Sequence, residues 1–127
     1  MATNTERISY PNRKISETFF AFTAPLLEAA GAKATKKQVE EALQIAFTAW
    51  NSVVYDTVSG KTHWVTRIRE LTAKDPESSA LMEMMISRKK TMFTDDLRVI
   101  GEYRLTKRPG EWHLWAEARE PSRDQMK

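Results

Sequence analysis

The sequence predicts an α+β fold in which about four helices precede a C-terminal antiparallel β-hairpin. Apolar residues recur at steps of three and four along most of the chain up to residue 94, which is the period of an α-helix. The period changes to two over residues 98–119, as in β-strands, and the pair Pro109-Gly110 divides that region with a turn. The fold class follows from this change of period.

The longest helical pattern, over residues 35–58, is predicted to be the central helix. It begins with Thr35 and Gln38, whose spacing is that of a capping box. Gly60 follows the last apolar residue, where a left-handed C-cap is expected. Apolar residues lie on more than one side of this helix, so we expect several neighbouring elements to pack against it.

The preceding segment, residues 16–31, is predicted to be a helix that Pro25 interrupts. Ser16 is a candidate N-cap because its hydroxyl can accept a hydrogen bond from a free backbone N–H. Proline has no N–H and clashes with the preceding helical turn. We therefore expect either a kink or two short helices that meet near Thr23.

Two further helices are predicted between Gly60 and residue 94. The first is a short amphipathic segment that contains Trp64 and Ile68. The second has the clearest start in the chain, because Asp75 is a good N-cap and Pro76 occupies the first helical position, where the missing N–H costs nothing.

The alternation over residues 98–119 predicts a specific strand register. A slip of one residue would mix the apolar and polar faces, so the pattern determines the pairing. An isolated two-stranded hairpin is marginal in water, and this one must therefore lie against the helices or pair with another chain. The predicted pairs are Lys107 with Trp112, Leu105 with Leu114, Arg104 with Trp115, Tyr103 with Ala116 and Glu102 with Glu117.

The composition predicts one soluble domain. A chain of 127 residues, with 41% hydrophobic and 29% charged residues, can bury a single core. The absence of cysteine excludes disulfides, thiolate metal ligands and a cysteine nucleophile. No apolar run suits a signal peptide or a membrane span, so we expect a cytoplasmic protein that makes no membrane contact. We predict a disordered arm over residues 1–14, one domain over 15–119 and a frayed tail over 120–127.

The favoured function is non-enzymatic binding of another protein, in the role of a regulator or inhibitor. No catalytic or nucleotide-binding motif is present, and no cofactor is expected. Aromatic and methionine side chains outside a core commonly form partner contacts, and the hairpin would also support a homodimer. The candidate partner-binding residues are Ile100, Arg104, His113 and Trp115 on the exposed hairpin surface, with Met82 and Met84 on the preceding helix.

Two plainer interpretations of these side chains stay open. The methionine-rich helix would equally suit a packed core, since flexible thioethers fill irregular gaps. The pair of Arg104 and Trp115 would also be explained by a cation–π contact within the hairpin.

A first alternative function is binding of nucleic acid. The net charge of +3 comes from 20 basic and 17 acidic residues, and the excess of basic residues lies in residues 61–94. Basic side chains neutralise phosphates, and an aromatic ring among them can stack on a base. A solvated helix face would account for the same residues, which are Lys61, Trp64, Arg67, Arg69, Arg88, Lys89 and Lys90.

A second alternative function is metal-dependent phosphodiester cleavage by the carboxylates of Asp95, Glu102 and Glu117. Glu102 lies opposite Glu117 in the predicted register, where like charges repel unless a cation lies between them. Arg104 and Arg119 flank this pair, however, and would neutralise it without a metal.

Overall fold

The helices and the hairpin occur in the predicted order. The computed structural model describes residues 14–31, 33–108 and 111–119, so most of the predicted arm and all of the predicted tail at 120–127 lie outside the described residues. The α+β class is confirmed. Among the helices in the described part of the chain, none combines the length and the apolar character that crossing a bilayer requires. The elements are α1 (Ile15–Ala30), α2 (Lys36–Ser59), α3 (His63–Thr72), α4 (Pro76–Met92), β1 (Val99–Arg108) and β2 (Glu111–Arg119).

Helix α2 is the central helix, and both of its predicted ends are confirmed. The Thr35 hydroxyl accepts a hydrogen bond from the Gln38 N–H at 3.1 Å, and the Gln38 side-chain oxygen accepts one from the Thr35 N–H at 2.9 Å. Gly60 ends the helix in the left-handed conformation, with φ at 74°. Helices α1, α3 and α4 and strand β1 all pack against α2.

Helix α1 runs through Pro25 as one element, so of the two alternatives expected here, that of two short helices meeting near Thr23 is wrong. Proline at this position cannot donate to the carbonyl of Ala21, four residues earlier. A guanidinium from α4 supplies donors in its place: Arg88 Nη2 lies 2.8 Å from the Ala21 oxygen, and its Nε lies 3.0 Å from the Phe22 oxygen. The Ala21 carbonyl, which cannot accept from Pro25, and the Phe22 carbonyl therefore both accept hydrogen bonds from α4.

Side chains from the helices bind the outer edges of the hairpin. The hydroxyl of Ser16 accepts from the Ala116 N–H at 2.8 Å and donates to the Ala116 carbonyl at 3.1 Å, so its predicted role as an N-cap is wrong. Asn51 of α2 forms the equivalent pair on β1, where it accepts from the Ile100 N–H and donates to the Ile100 carbonyl, both at 2.9 Å. Each edge is therefore partly covered by the chain's own helices.

The register of the hairpin is the predicted one, but it contains a β-bulge. The extra residue is Gly101, between Ile100 and Glu102. Because the bulge shifts the alternation at the start of β1, Ile100 is fully buried, and its predicted exposure is wrong. A Cβ added at Gly101 would lie 3.2 Å from the Arg119 Cδ, so a larger residue there would require the Arg119 side chain to shift by a few tenths of an ångström. The confirmed pairs are Glu102 with Glu117, Tyr103 with Ala116, Arg104 with Trp115, Leu105 with Leu114 and Lys107 with Trp112.

The turn between α2 and α3 is organised by Asp56, a buried carboxylate. Its Oδ1 accepts from the Trp64 N–H and its Oδ2 from the Val65 N–H, both at 2.9 Å. These amides lie in the first turn of α3, where a negative charge interacts favourably with the helix dipole. The Asp56 carbonyl also accepts from the N–H groups of Gly60 and Lys61. Asp56 thus binds backbone N–H groups both at the end of α2 and at the start of α3.

The centre of the core is an aromatic cluster of Phe22, Trp50 and Phe93. Their ring centroids lie 5.1 to 5.7 Å apart in edge-to-face arrangements. Lys89 is the unexpected neighbour of this cluster, because only 1% of it is exposed and its Nζ lies 4.4 Å from the Trp50 ring centroid. A cation over a desolvated indole contributes about 2 kcal/mol.

The Lys89 ammonium also binds the connection between α4 and β1. It donates to the carbonyl of Phe93 at 2.6 Å and to that of Asp96 at 2.8 Å. Burial lowers the pKa of Lys89 from 10.5 to about 8, and the carboxylates of Asp96 and Asp95 oppose this shift. One buried cation therefore holds the segment that leads into the hairpin.

The free energy of unfolding is predicted to rise with pH above about 8 because of Lys89. Below that pH the Lys89 amine is charged in both the folded and the unfolded state, so the free-energy cost of burying the charge fully destabilises the folded state. Between about 8 and the ordinary pKa of 10.5, the unfolded state binds the proton more tightly, so folding gains stability as pH rises. At about 1.4 kcal/mol per pKa unit, the full gain is about 3 to 4 kcal/mol. Chemical denaturation at a series of pH values measures it.

The control for this prediction is Lys89→Met, which keeps an apolar stem and removes the titrating group. A second control, Lys89→Arg, stays charged throughout. Neither variant should show the rise, and an equal rise in both would contradict the assignment to Lys89. Measurements are best kept below pH 10, because burial raises the pKa values of Tyr55 and Tyr103 above 10.0 and their ionisation opposes the effect at higher pH.

Arg88→Met is predicted to lower the free energy of unfolding by about 2 to 3 kcal/mol, since it removes two charged hydrogen bonds to helix carbonyls. The loss should be about 1 kcal/mol smaller in a Pro25→Ala background, because an alanine N–H can bond to the Ala21 carbonyl. Urea denaturation of the wild type, the two single variants and the double variant measures this coupling. Equal losses in both backgrounds would show that Arg88 does not compensate for Pro25.

Candidate binding surfaces

One face of the hairpin points away from the helices and carries polar side chains around a tryptophan. The opposite face, which includes Tyr103, Leu105, Leu114 and Ala116, packs against the core. Strand alternation therefore leaves the first face to solvent. We call it the outer hairpin face and define it by Glu102, Arg104, Thr106, His113, Trp115 and Glu117.

Arg104 and Trp115 form the centre of the outer hairpin face. The Arg104 Cζ lies 5.1 Å from the Trp115 ring centroid, which is the cation–π contact expected as the plainer interpretation. Arg104 Nε also lies 3.2 Å from a carboxylate oxygen of Glu102. These contacts leave 45% of Trp115 exposed. The pair is therefore held in place and still presents a large aromatic surface to solvent.

His113 lies beside this pair at the border of the face. Its Nε2 is 3.3 Å from the Glu111 Oε2, but the two atoms are not aligned as a hydrogen bond, and the nitrogen is buried without a hydrogen-bond partner. An ion pair with Glu111 requires a protonated imidazole. His113 therefore forms part of the polar border of the outer hairpin face and is less suited than Trp115 to direct contact with a partner.

The methionine-rich helix is largely covered. Only 4% of Met82 is exposed, because α2 and α3 pack against α4 on two sides, so its predicted role in partner binding is wrong. Ile86 on the same helix is also buried, whereas 39% of Met84 is exposed. For most of this helix the expectation of a packed core is the correct one.

Several residues assigned to nucleic-acid binding have structural partners. Lys89 lies in the core, so its predicted contact with phosphates is wrong. Arg88 donates to carbonyls of α1, which gives its guanidinium a structural role. Arg69 forms a two-point contact with Glu83, at 2.7 and 3.0 Å. The half-buried Trp64 ring lies 5.9 Å from that of Tyr55, which leaves less of it for stacking on a base.

Three of the predicted basic residues nevertheless line one cleft between α2, α3 and α4. Lys61 precedes α3, Arg69 lies on α3 and Lys90 lies near the end of α4. The cleft has a volume of ≈ 150 Å³, and we call it the basic cleft. Arg67 lines a separate, neighbouring depression with His63. The remaining lining residues of the basic cleft are Val53, Asp56, Thr57, Thr62 and Val65.

The comparisons with known proteins give no further guide to these surfaces. No protein-family model, curated protein or solved structure matches the chain. Its function is therefore inferred from the chemistry of its own side chains.

The carboxylates proposed as metal ligands are not brought together. Glu102 and Glu117 face each other as predicted, but Asp95 lies in the connection before β1 and not on the hairpin. Within residues 14–31, 33–108 and 111–119, no group of three or more potential ligands is arranged to hold a metal ion. Asp96, next to Asp95, is buried and pairs with Arg98, which gives it a structural role.

A larger cleft of ≈ 770 Å³, which the sequence did not reveal, lies between α1, α2 and α4. Its floor includes Leu26, Ile45 and Leu81, and its rim carries Glu41 and Glu77. The one feature of the sequence that indicates this cleft is the alanine pair Ala29-Ala30 at the end of α1, because small side chains leave space between helices. Its location depends on how three distant helices pack, which periodicity does not specify.

Proposed function

We propose that this protein binds another protein through the outer hairpin face, as a small non-enzymatic regulator or inhibitor. The observation that carries the proposal is the exposed indole of Trp115, held beneath the guanidinium of Arg104. Tryptophan and arginine are among the residues most enriched at the energetic centres of protein interfaces. A protein that binds a partner without catalysing a reaction would suit the role of a regulator or an inhibitor.

The exposed part of Trp115 is large enough to contribute substantially to binding. With 45% exposure, its side chain presents about 100 Å² to water. Burial of that area on a partner would contribute about 2.5 kcal/mol at roughly 25 cal/mol per Å². The contact with Arg104 limits the motion of the ring, so less side-chain entropy would be lost on binding.

The polar residues around Trp115 define the chemistry of the partner. Glu102 and Glu117 lie on one side and Thr106 and His113 on the other, which resembles the polar rim of a protein interface. Arg104 uses its Nε for Glu102, and in the described part of the chain its two Nη nitrogens make no hydrogen bond. A partner with an apolar pocket for the indole and a carboxylate for the guanidinium would complement this surface.

Homodimerisation through the hairpin remains a prediction. A hairpin needs a covering surface to be stable, and here α1 and α2 provide one within the chain. Pairing of the edges is limited because Ser16 and Asn51 occupy Ala116 and Ile100. Packing between two outer hairpin faces would be the remaining route. Light scattering at micromolar concentration measures the mass, and a monomer would contradict it.

The test of partner binding is affinity purification from the native host with matched variants. Trp115→Ala and Arg104→Ala are each predicted to weaken capture of the same partner, by about 30-fold for the tryptophan, because hot-spot truncations cost about 2 kcal/mol. Leu97→Ala is the matched control, since 43% of Leu97 is exposed outside the outer hairpin face. Circular dichroism checks that each variant is folded.

Two outcomes would contradict the proposal. Equal weakening by Leu97→Ala and Trp115→Ala would show that exposed apolar area in general, and not this face, drives capture. Loss of the partner with Ile45→Glu, but not with Trp115→Ala, would move the binding surface to the cleft between α1, α2 and α4.

A further inference from the structure

The basic cleft between α2, α3 and α4 has the chemistry of an anion site. We propose that it binds a phosphate group, carried either by a free phosphate compound or by a nucleic-acid backbone. This proposal does not depend on the outer hairpin face. It rests on the convergence of Lys61, Arg69 and Lys90 with two threonine side chains on one small cleft.

The two lysines are the free cations of the cleft. In the described part of the chain, neither the Lys61 nor the Lys90 ammonium makes a hydrogen bond or an ion pair, and both residues are exposed. Like charges that line one cleft repel each other. A bound anion would turn this repulsion into attraction, and each ammonium has three donors to offer it.

Arg69 adds a cation whose position is fixed. Its Nε and Nη2 bind the two carboxylate oxygens of Glu83 at 2.7 and 3.0 Å, which orients the guanidinium across the α3–α4 boundary. Nη1 makes no hydrogen bond among the described residues. It is therefore the nitrogen that a phosphate oxygen would contact.

The negative charges near the cleft are already engaged. Asp56 lines it, but both of its oxygens accept backbone N–H groups from the first turn of α3. Glu83 is engaged with Arg69. Three cations and these two carboxylates leave an excess of one positive charge at the cleft. Among the described residues, the two lysines have no ion-pair partner.

The size and the remaining lining residues favour phosphate over a larger ligand. A volume of ≈ 150 Å³ accommodates a phosphate group but leaves little room for a base and a sugar within the cleft. Thr57 and Thr62 lie at its border with hydroxyl groups that can donate to phosphate oxygens. Recognition would therefore be of charge and geometry and not of a particular base.

The test is a titration of the full chain with pyrophosphate, followed by the backbone amide shifts in NMR. Saturable shifts are expected at Lys61 and Thr62. The double variant Lys61→Gln/Lys90→Gln should bind at least tenfold more weakly, because it removes both free cations. Arg67→Gln is the matched control: it removes one positive charge from α3 but does not line the basic cleft, so the affinity should be unchanged.

A parallel titration with a single-stranded oligonucleotide separates the two sources of phosphate. Tighter binding of the oligonucleotide, with a steep salt dependence that the double variant reduces, would indicate a nucleic-acid backbone. Binding of pyrophosphate alone would indicate a free phosphate compound. The proposal would be overturned by the absence of saturable shifts up to about 10 mM pyrophosphate, or by equal weakening in Arg67→Gln. Circular dichroism confirms that both variants are folded.

Discussion

The buried ammonium of Lys89 determines how the helical part of the chain connects to the hairpin. A cation in a core is strongly unfavourable unless other groups replace the water that it loses. Here the face of Trp50 and the carbonyls of Phe93 and Asp96 provide that replacement. These carbonyls belong to the chain between α4 and β1, so the groups that satisfy this one charge lie in the segment that leads into the sheet. The indole Nε1–H of Trp50 contributes to the same junction by donating to the Arg98 carbonyl at 2.7 Å.

The hairpin is stabilised by helices acting at its edges as well as beneath its face. Asn51 and Ser16 each pair with both backbone groups of one residue, as a neighbouring strand would. Because these contacts lie at Ile100 and Ala116, they anchor the sheet without covering its outer side. The same arrangement that makes a two-stranded sheet stable within one chain therefore leaves Trp115 in water. Exposure of this residue follows from the way the hairpin is attached.

Local signals in the sequence predict both ends of α2, the start of α4 and the strand register. Contacts between side chains and backbone groups far apart in the sequence cannot be predicted from such signals. Capping residues, the turn dipeptide and the period-two pattern each act within a few residues of the chain, so the contact of Arg104 with Trp115 also follows from the register. The bulge at Gly101, which buries Ile100, departs from an otherwise regular alternation. The binding of Arg88 beside Pro25 joins residues more than sixty positions apart, and no periodicity encodes that pairing.

Such long-range structural contacts also explain why a count of basic residues overestimates how many of them are available to bind a ligand. A long cationic side chain has an apolar stem and several donors, so it suits a structural gap as well as a phosphate. Lys89 and Lys90 are neighbours in the sequence, yet α-helical geometry turns one toward Trp50 and the other toward the basic cleft. What separates them is whether the fold provides partners for the ammonium. An ammonium without a partner among the described residues still has all of its donors for a ligand, and this criterion, more than net charge, identifies Lys61 and Lys90.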